Sequence, residues 1–228
     1  MLKFVKKLIL RIVVAFLAST ILSVVALRFI PVWFTPLMFI RCYEQAKEDR
    51  ELRMSHHWVS LNEMSESMPV AVIASEDANF LSHHGFDFKA IEHAAKRNSQ
   101  HPEKQKFGAS TISQQTAKNV FLWPGRSWVR KGFEVYFTVL IELMWPKERI
   151  LEVYLNSIET GEGIYGVEAV CRDNWGLSAS QISREQCAMI AATLPNPRKF
   201  SSKTPSKYVQ KRTKRILHEM KFVKKLPK

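Results

Sequence analysis

The sequence contains few of the residues on which disulfide-linked and metal-binding proteins depend. Only three cysteines occur among 228 residues, and their positions show no paired spacing, so neither a disulfide framework nor a zinc site is predicted. Two adjacent histidine pairs, at 56–57 and 83–84, lack the i, i+4 spacing of a helical metal site. We interpret the cysteines as ordinary buried small side chains. They are Cys42, Cys171 and Cys187.

Acidic residues are almost absent from both ends of the chain. Residues 1–41 contain six basic residues and no acidic one, and residues 198–228 contain twelve basic residues and only Glu219. A nucleic-acid-binding domain usually carries its basic stripe on the folded body, whereas basic ends beside an apolar segment suit an anionic membrane surface. We therefore expect membrane lipids, and no nucleic acid, among the partners. A solvated helix face is the alternative for the C-terminal charges.

One apolar segment, from Leu8 to Leu27, is interrupted only by Arg11. A span of about 20 residues is what a bilayer core requires. Most of the nearby basic residues precede the segment, so the positive-inside rule places residues 1–7 in the cytoplasm. We predict a transmembrane signal-anchor helix over residues 8–28. A cleaved signal peptide is the alternative, but no convincing small-residue cleavage site follows.

Residues 29–45 are predicted to lie at the membrane interface. They continue the apolar composition, but Pro31 and Pro36 interrupt a stretch that is too short to span, and the aromatic residues suit the headgroup boundary. A core segment of the folded domain is the alternative, and both could hold at once. The remaining residues, 46–228, have the length of one domain.

Apolar residues recur at helical spacing through most of this domain, and no segment alternates like a strand. The first predicted helix places Glu76 in its C-terminal half, close to the polar loop that follows. Pro146 ends another predicted helix. The predicted helices cover Met68 to Leu81, Trp128 to Trp145, Ile150 to Leu155, Gln186 to Leu194 and, as a basic amphipathic helix, residues 203–225.

The polar stretch at residues 76–85 contains a candidate base. The carboxylate of Glu76 is followed by Asp77 and by a loop with His83, a setting in which a partly desolvated carboxylate could accept a proton. A carboxylate of this kind could act as a general base toward an attacking hydroxyl. A surface helix carboxylate is the alternative.

The stretch at residues 108–119 contains neutral polar side chains beside Lys118 and Asn119. Such groups suit sugars and phosphates, because they donate and accept hydrogen bonds, and Lys118 adds a positive charge that suits a phosphate. A helix capped by residue 110 or 111 is the alternative. The neutral members are Ser110, Thr111, Gln114 and Gln115.

Five blocks, in order from Ala71 to Pro197, resemble glycosyltransferase family 51, the peptidoglycan glycosyltransferases. The flanking run Gly125-Arg126-Ser127-Trp128 is similar to the monofunctional members rather than to the bifunctional penicillin-binding proteins. No Ser is followed three positions later by Lys, so the nucleophile motif of a transpeptidase is absent and no such activity is expected. The blocks are residues 76–85, residues 108–119, Arg130-Lys131-Gly132-Phe133-Glu134, Ile150 to Ala169 and Ala191 to Pro197.

The resemblance implies a mainly α, lysozyme-like glycosyltransferase domain with a small membrane-associated lobe. It implies polymerisation of lipid II into β-1,4-linked glycan strands by an inverting reaction that releases undecaprenyl pyrophosphate. The expected location is the bacterial inner membrane, with a single pass, a cytoplasmic N-terminus and a periplasmic catalytic domain. Expected partners are lipid II, the growing lipid-linked strand and other cell wall synthases or divisome proteins.

The resemblance also implies roles for individual residues. Glu76 is the expected general base, and Glu134 is a second carboxylate that could hold a divalent cation, Mg²⁺ or Mn²⁺, or position Arg130 and Lys131. No organic cofactor is expected. The residues expected to bind substrate are Asp77, His83, Ser110, Thr111, Gln114, Gln115, Lys118, Asn119, Arg130 and Lys131.

Two other classes of function are compatible with these residues. A helical fold with essential glutamates also cleaves glycans, so a muramidase or lytic transglycosylase is the enzymatic alternative. A membrane-anchored scaffold without catalytic activity is the other. A scaffold has no need of two carboxylates with basic neighbours, which favours an enzyme.

Overall fold

The computed structural model describes residues 2–103, 108–125 and 127–224. Within these residues the chain forms ten α-helices, one short 3₁₀-helix at Leu61–Glu63 and three short strands. The prediction of a mainly α protein is therefore confirmed. The helices are α1 (Leu2–Leu27), α2 (Pro36–Lys47), α3 (Ser67–Glu76), α4 (Phe88–Gln100), α5 (Ile112–Phe121), α6 (Trp128–Met144), α7 (Lys147–Ser157), α8 (Val167–Trp175), α9 (Arg184–Thr193) and α10 (Lys207–Glu219).

Helix α1 is the one described helix that is long and apolar enough to cross a membrane, with a mean hydropathy of 2.5 over an 18-residue window within Lys3–Leu27. Its C-terminal half packs on α6. The hydroxyl groups of Thr20 and Tyr136 lie 2.7 Å apart, and the Trp145 indole N–H donates a hydrogen bond to the Val24 carbonyl oxygen at 2.8 Å. The apolar helix is therefore held against the domain by polar contacts as well as by packing.

The segment after α1 both packs into the domain and exposes aromatic side chains. Val32 and Met38 are buried, whereas Trp33, Phe34 and Phe39 are more than half exposed. Helix α2 begins at Pro36, as expected for a residue without a backbone N–H. The core-segment interpretation is thus correct for one side of the segment, and its other side has the exposed aromatic surface predicted for a membrane interface.

The core of the domain is formed where α5 packs against α6 and α7, and α3 packs against α9. The largest fully buried side chains include Tyr154, Tyr165 and Phe80. Helix α10 covers α9 and also contacts α3. Cys171 and Cys187 are fully buried, as predicted for small core side chains, while Cys42 is only half-buried.

The three strands were not predicted, because two or three residues are too few to show alternation. They are β1 (Ser55–His56), β2 (Glu159–Gly161) and β3 (Ile164–Tyr165), in the order β1-β3-β2, with β3 parallel to β1 and antiparallel to β2. Gly166 follows β3 with φ +80°, and a Cβ there would lie 2.7 Å from the Asn156 carbonyl oxygen. Only glycine fits this close approach.

Several predicted helix boundaries were wrong, among them those of the helix predicted for Ile150 to Leu155, which runs from Lys147 to Ser157. The helix predicted for Met68 to Leu81 ends at Glu76, because Asp77 leaves the helical conformation with φ −161°. The basic C-terminal helix begins at Lys207 rather than at residue 203, because the Ser206 hydroxyl caps its first turn. This helix also ends earlier than predicted, at Glu219, and its predicted last residue, Lys225, lies outside the described residues, as does Arg126 of the run at 125–128.

Candidate active site

Glu76, the last residue of α3, lines a cleft of about 430 Å³ between α3, residues 108–111 and α10. We call this space the Glu76 cleft. The Gln115 amide donates a hydrogen bond to Glu76 Oε2 at 3.2 Å, and Arg212 Nη2 lies 3.5 Å from Oε1. The side chain of Glu76 is 13% exposed. The carboxylate is thus partly desolvated, held only by long contacts, and open to a ligand in the cleft.

Asp77 and His83 connect the end of α3 to the start of α5. Asp77 Oδ2 accepts a hydrogen bond from the Ile112 backbone N–H at 2.9 Å, and His83 Nε2 lies 2.9 and 3.0 Å from the two carboxylate oxygens. These contacts fix the position of Glu76 relative to the polar helix α5. Substrate contact by Asp77 and His83 stays a prediction.

Thr111 and Gln114 form the N-terminal cap of α5. The two residues make a capping box, and the Thr111 hydroxyl donates a hydrogen bond to the Gly85 carbonyl oxygen at 2.7 Å. The capping alternative for Thr111 is therefore correct. Thr111 and Ser110 both line the Glu76 cleft, Thr111 buried and Ser110 exposed, while Gln115 contacts Glu76 itself.

A second cavity, of about 390 Å³, lies beside α5 and α6. We call it the cation cavity, because Arg41, Lys118 and Arg130 all line it. Gln115 lines it too, and since Gln115 also donates to Glu76, this residue connects the two spaces. The remaining walls of the cation cavity include Asn119, Trp123, Glu159, Leu194, Pro195 and Pro197.

Glu134 lies on α6 and holds two of the predicted basic residues. Its carboxylate accepts a hydrogen bond from Arg130 Nη1 at 2.6 Å and another from the Lys131 ammonium group. Its side chain is 5% exposed. Both oxygens thus face positive groups, an environment that does not fit a divalent cation. In the described ranges no set of three His, Cys, Asp or Glu side chains is arranged to hold a metal ion.

Lys118 is the cation of the cavity that makes no hydrogen bond or ion pair with a described residue. Burial lowers the pKa of its ammonium group, and the positive charges of Arg130 and Lys131 lower it further, while Glu134 and Glu159 act in the opposite direction. An anion in the cavity would relieve this unfavourable environment. Lys118 is therefore placed to bind a negatively charged group.

Sequence reasoning missed Arg212, which lines the Glu76 cleft, and Tyr154, which contacts Gln115. Arg212 lies on α10, whose basic residues were predicted to face a membrane surface or solvent. It instead contacts Glu76, because α10 packs against the domain through the buried side chains of Thr213 and Ile216. Tyr154 donates its hydroxyl proton to Gln115 Oε1 at 3.2 Å. Burial and the charge of Glu76 raise the Tyr154 pKa, so it stays a hydrogen-bond donor.

Comparisons of the sequence with known proteins show the family to which the chain belongs. The family model described as "Transglycosylase" matches residues 45–221. The chain is 58% identical over 212 residues to the "Biosynthetic peptidoglycan transglycosylase" of Bacteroides thetaiotaomicron, covering 93% of this chain and 85% of that protein. Proteins of the same name from Bdellovibrio bacteriovorus and Caulobacter vibrioides are 51% and 48% identical, each covering 94% of this chain and 85% and 90% of the relative.

The chain therefore belongs to the transglycosylase family. This confirms the resemblance drawn from the five blocks. The mostly helical architecture agrees with the lysozyme-like fold expected for it.

Proposed function

We propose that this transglycosylase polymerises lipid II into β-1,4-linked glycan strands during cell wall biosynthesis and releases undecaprenyl pyrophosphate. The names of its relatives support a role in peptidoglycan synthesis. The observation that carries the proposal is the arrangement of Glu76 and the cation cavity, which Gln115 connects. A carboxylate base on one side and a cluster of cations on the other are what transfer from a sugar pyrophosphate requires.

In the proposed reaction, Glu76 takes the proton from the C4 hydroxyl of the acceptor sugar. The hydroxyl oxygen forms a bond to the anomeric carbon of the donor, and the bond from that carbon to the pyrophosphate oxygen breaks. The electron pair of the broken bond leaves with undecaprenyl pyrophosphate. Because attack and departure take place on opposite faces, the configuration inverts and the new linkage is β. The long contacts to Glu76 leave it able to accept the proton.

The leaving pyrophosphate is proposed to occupy the cation cavity. Lys118, which has no partner in the described part of the chain, would bind a phosphate oxygen, and Arg130 would supply a second positive charge. Glu134 would act by holding Arg130 and Lys131 in place. Stabilising charge that develops on a leaving group is worth most in such a buried site, where water screens it least.

A divalent cation receives no step in this mechanism, because the Glu134 carboxylate already faces two cations. The prediction that Mg²⁺ or Mn²⁺ assists the enzyme is a separate question. Adding EDTA to the polymerisation assay answers it. A rate that falls with EDTA and returns with Mg²⁺ would show that the ion acts elsewhere, for example on the substrate's own pyrophosphate.

We propose that α1 anchors the protein in the inner membrane, with residues 1–7 in the cytoplasm and the catalytic domain in the periplasm. The hydropathy of α1 and the basic residues that precede its apolar stretch support this orientation. The exposed aromatic side chains of residues 29–45 would then lie at the headgroup level. This places the catalytic domain next to the bilayer that holds the lipid-linked substrate.

The test uses full-length protein in detergent with labelled lipid II, and separates the products before and after digestion with a muramidase. Polymer that the muramidase degrades, and that is absent with Glu76→Gln, would support both the reaction and the base. If no polymer forms but added sacculi release soluble muropeptides, the enzyme is a muramidase or lytic transglycosylase. Absence of both activities in a folded protein would favour the scaffold.

A further inference from the structure

Arg41 lies on α2 but lines the cation cavity together with Lys118 and Arg130. No block of the sequence pattern includes it. It is separated from Lys118 by 77 positions along the chain, yet α2 packs against α5 and brings the two cations to the same space. The cavity thus receives one cation from the segment that follows α1, one from α5 and one from α6.

Glutamates hold the guanidinium of Arg41 in this structure. Arg41 Nη1 lies 2.6 Å from Glu44 Oε2, while Nη2 and Nε lie 3.3 and 3.2 Å from the oxygens of Glu159. The contact between Nε and Glu159 Oε1 is not aligned as a hydrogen bond, and both atoms are buried with no other hydrogen-bond partner in the described ranges. The contact between Arg41 and Glu159 therefore leaves one buried hydrogen-bond donor and one buried acceptor without a hydrogen-bond partner among the described residues.

Glu159 itself is in an unfavourable place for a carboxylate. Its side chain is 10% exposed, and burial raises its pKa, with Arg41 providing the largest opposing effect. A second acid, Glu44, is more exposed and bonds Arg41 from the same helix. The pair of Arg41 with Glu159 is thus a contact that a stronger anion could replace.

A pyrophosphate is such an anion. It carries more than one negative charge and offers several acceptor oxygens, and arginine binds phosphate oxygens with two parallel N–H groups. We propose that Arg41 is a further pyrophosphate-binding residue, and that the phosphate oxygens of the donor compete with Glu159 for its guanidinium. This inference rests on the proposed function, because it assigns the lipid-linked pyrophosphate to the cation cavity.

The rival interpretation is a purely structural ion pair that ties α2 to β2. The two interpretations differ in the effect of Glu159. If Arg41 binds pyrophosphate, Glu159 is a competitor, and its removal strengthens binding. If the pair is only structural, removing either partner loosens the same contact, and the two variants change binding in the same direction or leave it unchanged.

The experiment measures the affinity of full-length protein in detergent for farnesyl pyrophosphate, with inorganic pyrophosphate as a second probe. Arg41→Gln is expected to weaken binding of both probes by about tenfold, the usual effect of losing one charge-assisted hydrogen bond. Arg41→Lys should recover part of the loss. Glu159→Gln should tighten binding by roughly threefold or more, because a like charge beside the anion is removed.

Arg50→Gln is the matched control. Arg50 follows α2 and pairs with Glu48 and Glu162, but it does not line the cation cavity, so its replacement breaks comparable ion pairs without changing the binding of pyrophosphate. Equal affinity in the wild type, Arg41→Gln and Arg50→Gln would overturn the proposal. So would equal weakening by Arg41→Gln and Glu159→Gln.

Two measurements keep the outcomes separate. Thermal unfolding of each variant identifies loss of folding. If Arg41→Gln does not fold, the other two variants still decide the question, because Arg41→Lys is expected to weaken pyrophosphate binding and Glu159→Gln to strengthen it. A wild type that binds neither probe and forms no polymer would contradict the proposed function as a whole. A wild type that binds farnesyl but not inorganic pyrophosphate would show that the lipid chain, and not the cation cavity, provides the affinity, and would also overturn the role of Arg41.

Discussion

Glu76 and Glu134 are both carboxylates of the candidate site, but the structure surrounds them differently. Glu76 has contacts of 3.2 to 3.5 Å with Gln115, Ser75 and Arg212, and it opens into the Glu76 cleft. Glu134 is more deeply buried and bonds two cations, one through each oxygen. A carboxylate with weak partners can accept a proton, whereas one that is saturated by cations acts by placing them. The contrast shows how the same side chain can serve two roles.

The two carboxylates also belong to different parts of the fold. Glu76 faces α10 through Arg212, and Glu134 lies on α6, whose Tyr136 contacts α1. The side on which we propose proton transfer is thus completed by the C-terminal helix. The cation side is built on the helix that packs against the predicted anchor.

The largest expected effect belongs to Glu76→Gln. Losing the proton acceptor should lower the rate of lipid II polymerisation by about 10² to 10⁴-fold, the usual contribution of general base catalysis. Binding of farnesyl pyrophosphate should be retained, since the amide keeps the size of the side chain. Polymerisation at the wild-type rate would show that Glu76 is not the base, and the proposed difference in role between Glu76 and Glu134 would be wrong.

Glu134→Gln should damage both stability and activity. Breaking a buried ion pair leaves Arg130 without its partner, and we expect the free energy of unfolding to fall by about 3 kcal/mol. Affinity for farnesyl pyrophosphate should fall as well, because Arg130 and Lys131 lose their fixed positions. Thermal unfolding and binding measurements together check both effects.

Glu142→Gln is the control for this prediction. Glu142 is another buried carboxylate of α6, paired with Lys147 at 2.8 Å, and it does not line the cation cavity. We expect it to lower stability without changing pyrophosphate affinity. If both variants lose affinity equally, the effect comes from α6 as a whole and not from the position of Arg130.

Lys118→Met should weaken pyrophosphate binding by about tenfold, because it removes a charge-assisted contact while keeping the apolar stem. The pKa of Lys118 is lowered in the folded state, so its charge does not stabilise the fold, and the melting temperature should not fall. Titration with farnesyl pyrophosphate and thermal unfolding test the two statements. A lower melting temperature with unchanged affinity would assign Lys118 a structural role instead.

The smallest effect is expected for Tyr136→Phe, which removes the hydrogen bond to Thr20. A hydrogen bond between two neutral groups contributes about 0.5 to 1.5 kcal/mol net, so stability in detergent should fall only slightly. Polymerisation should stay within about twofold of the wild-type rate. A large loss of activity with intact folding would mean that the cation side depends on how α1 packs against α6.

The sequence alone predicted the features that depend on local pattern. The apolar periodicity identified α6 and α7, the apolar run identified α1, and the polar run after residue 108 offered, as an alternative, a capped helix with Thr111 as one of two candidate caps. The five blocks identified the family. These succeeded because helix periodicity, caps and short motifs are properties of neighbouring residues.

The tertiary structure alone decided which distant residues meet. The contact of Arg212 with Glu76 joins residues 136 positions apart, and Arg41 reaches Glu159 across 118 positions. The same holds for the end of α3, which Asp77 fixes through the backbone of Ile112. No local pattern specifies such pairs, because they result from the packing of α2, α3, α5 and α10 around one core. The sequence therefore determined most of the helices, though not α2, α4 or α8, and the candidate chemistry, and packing determined which charges surround each carboxylate.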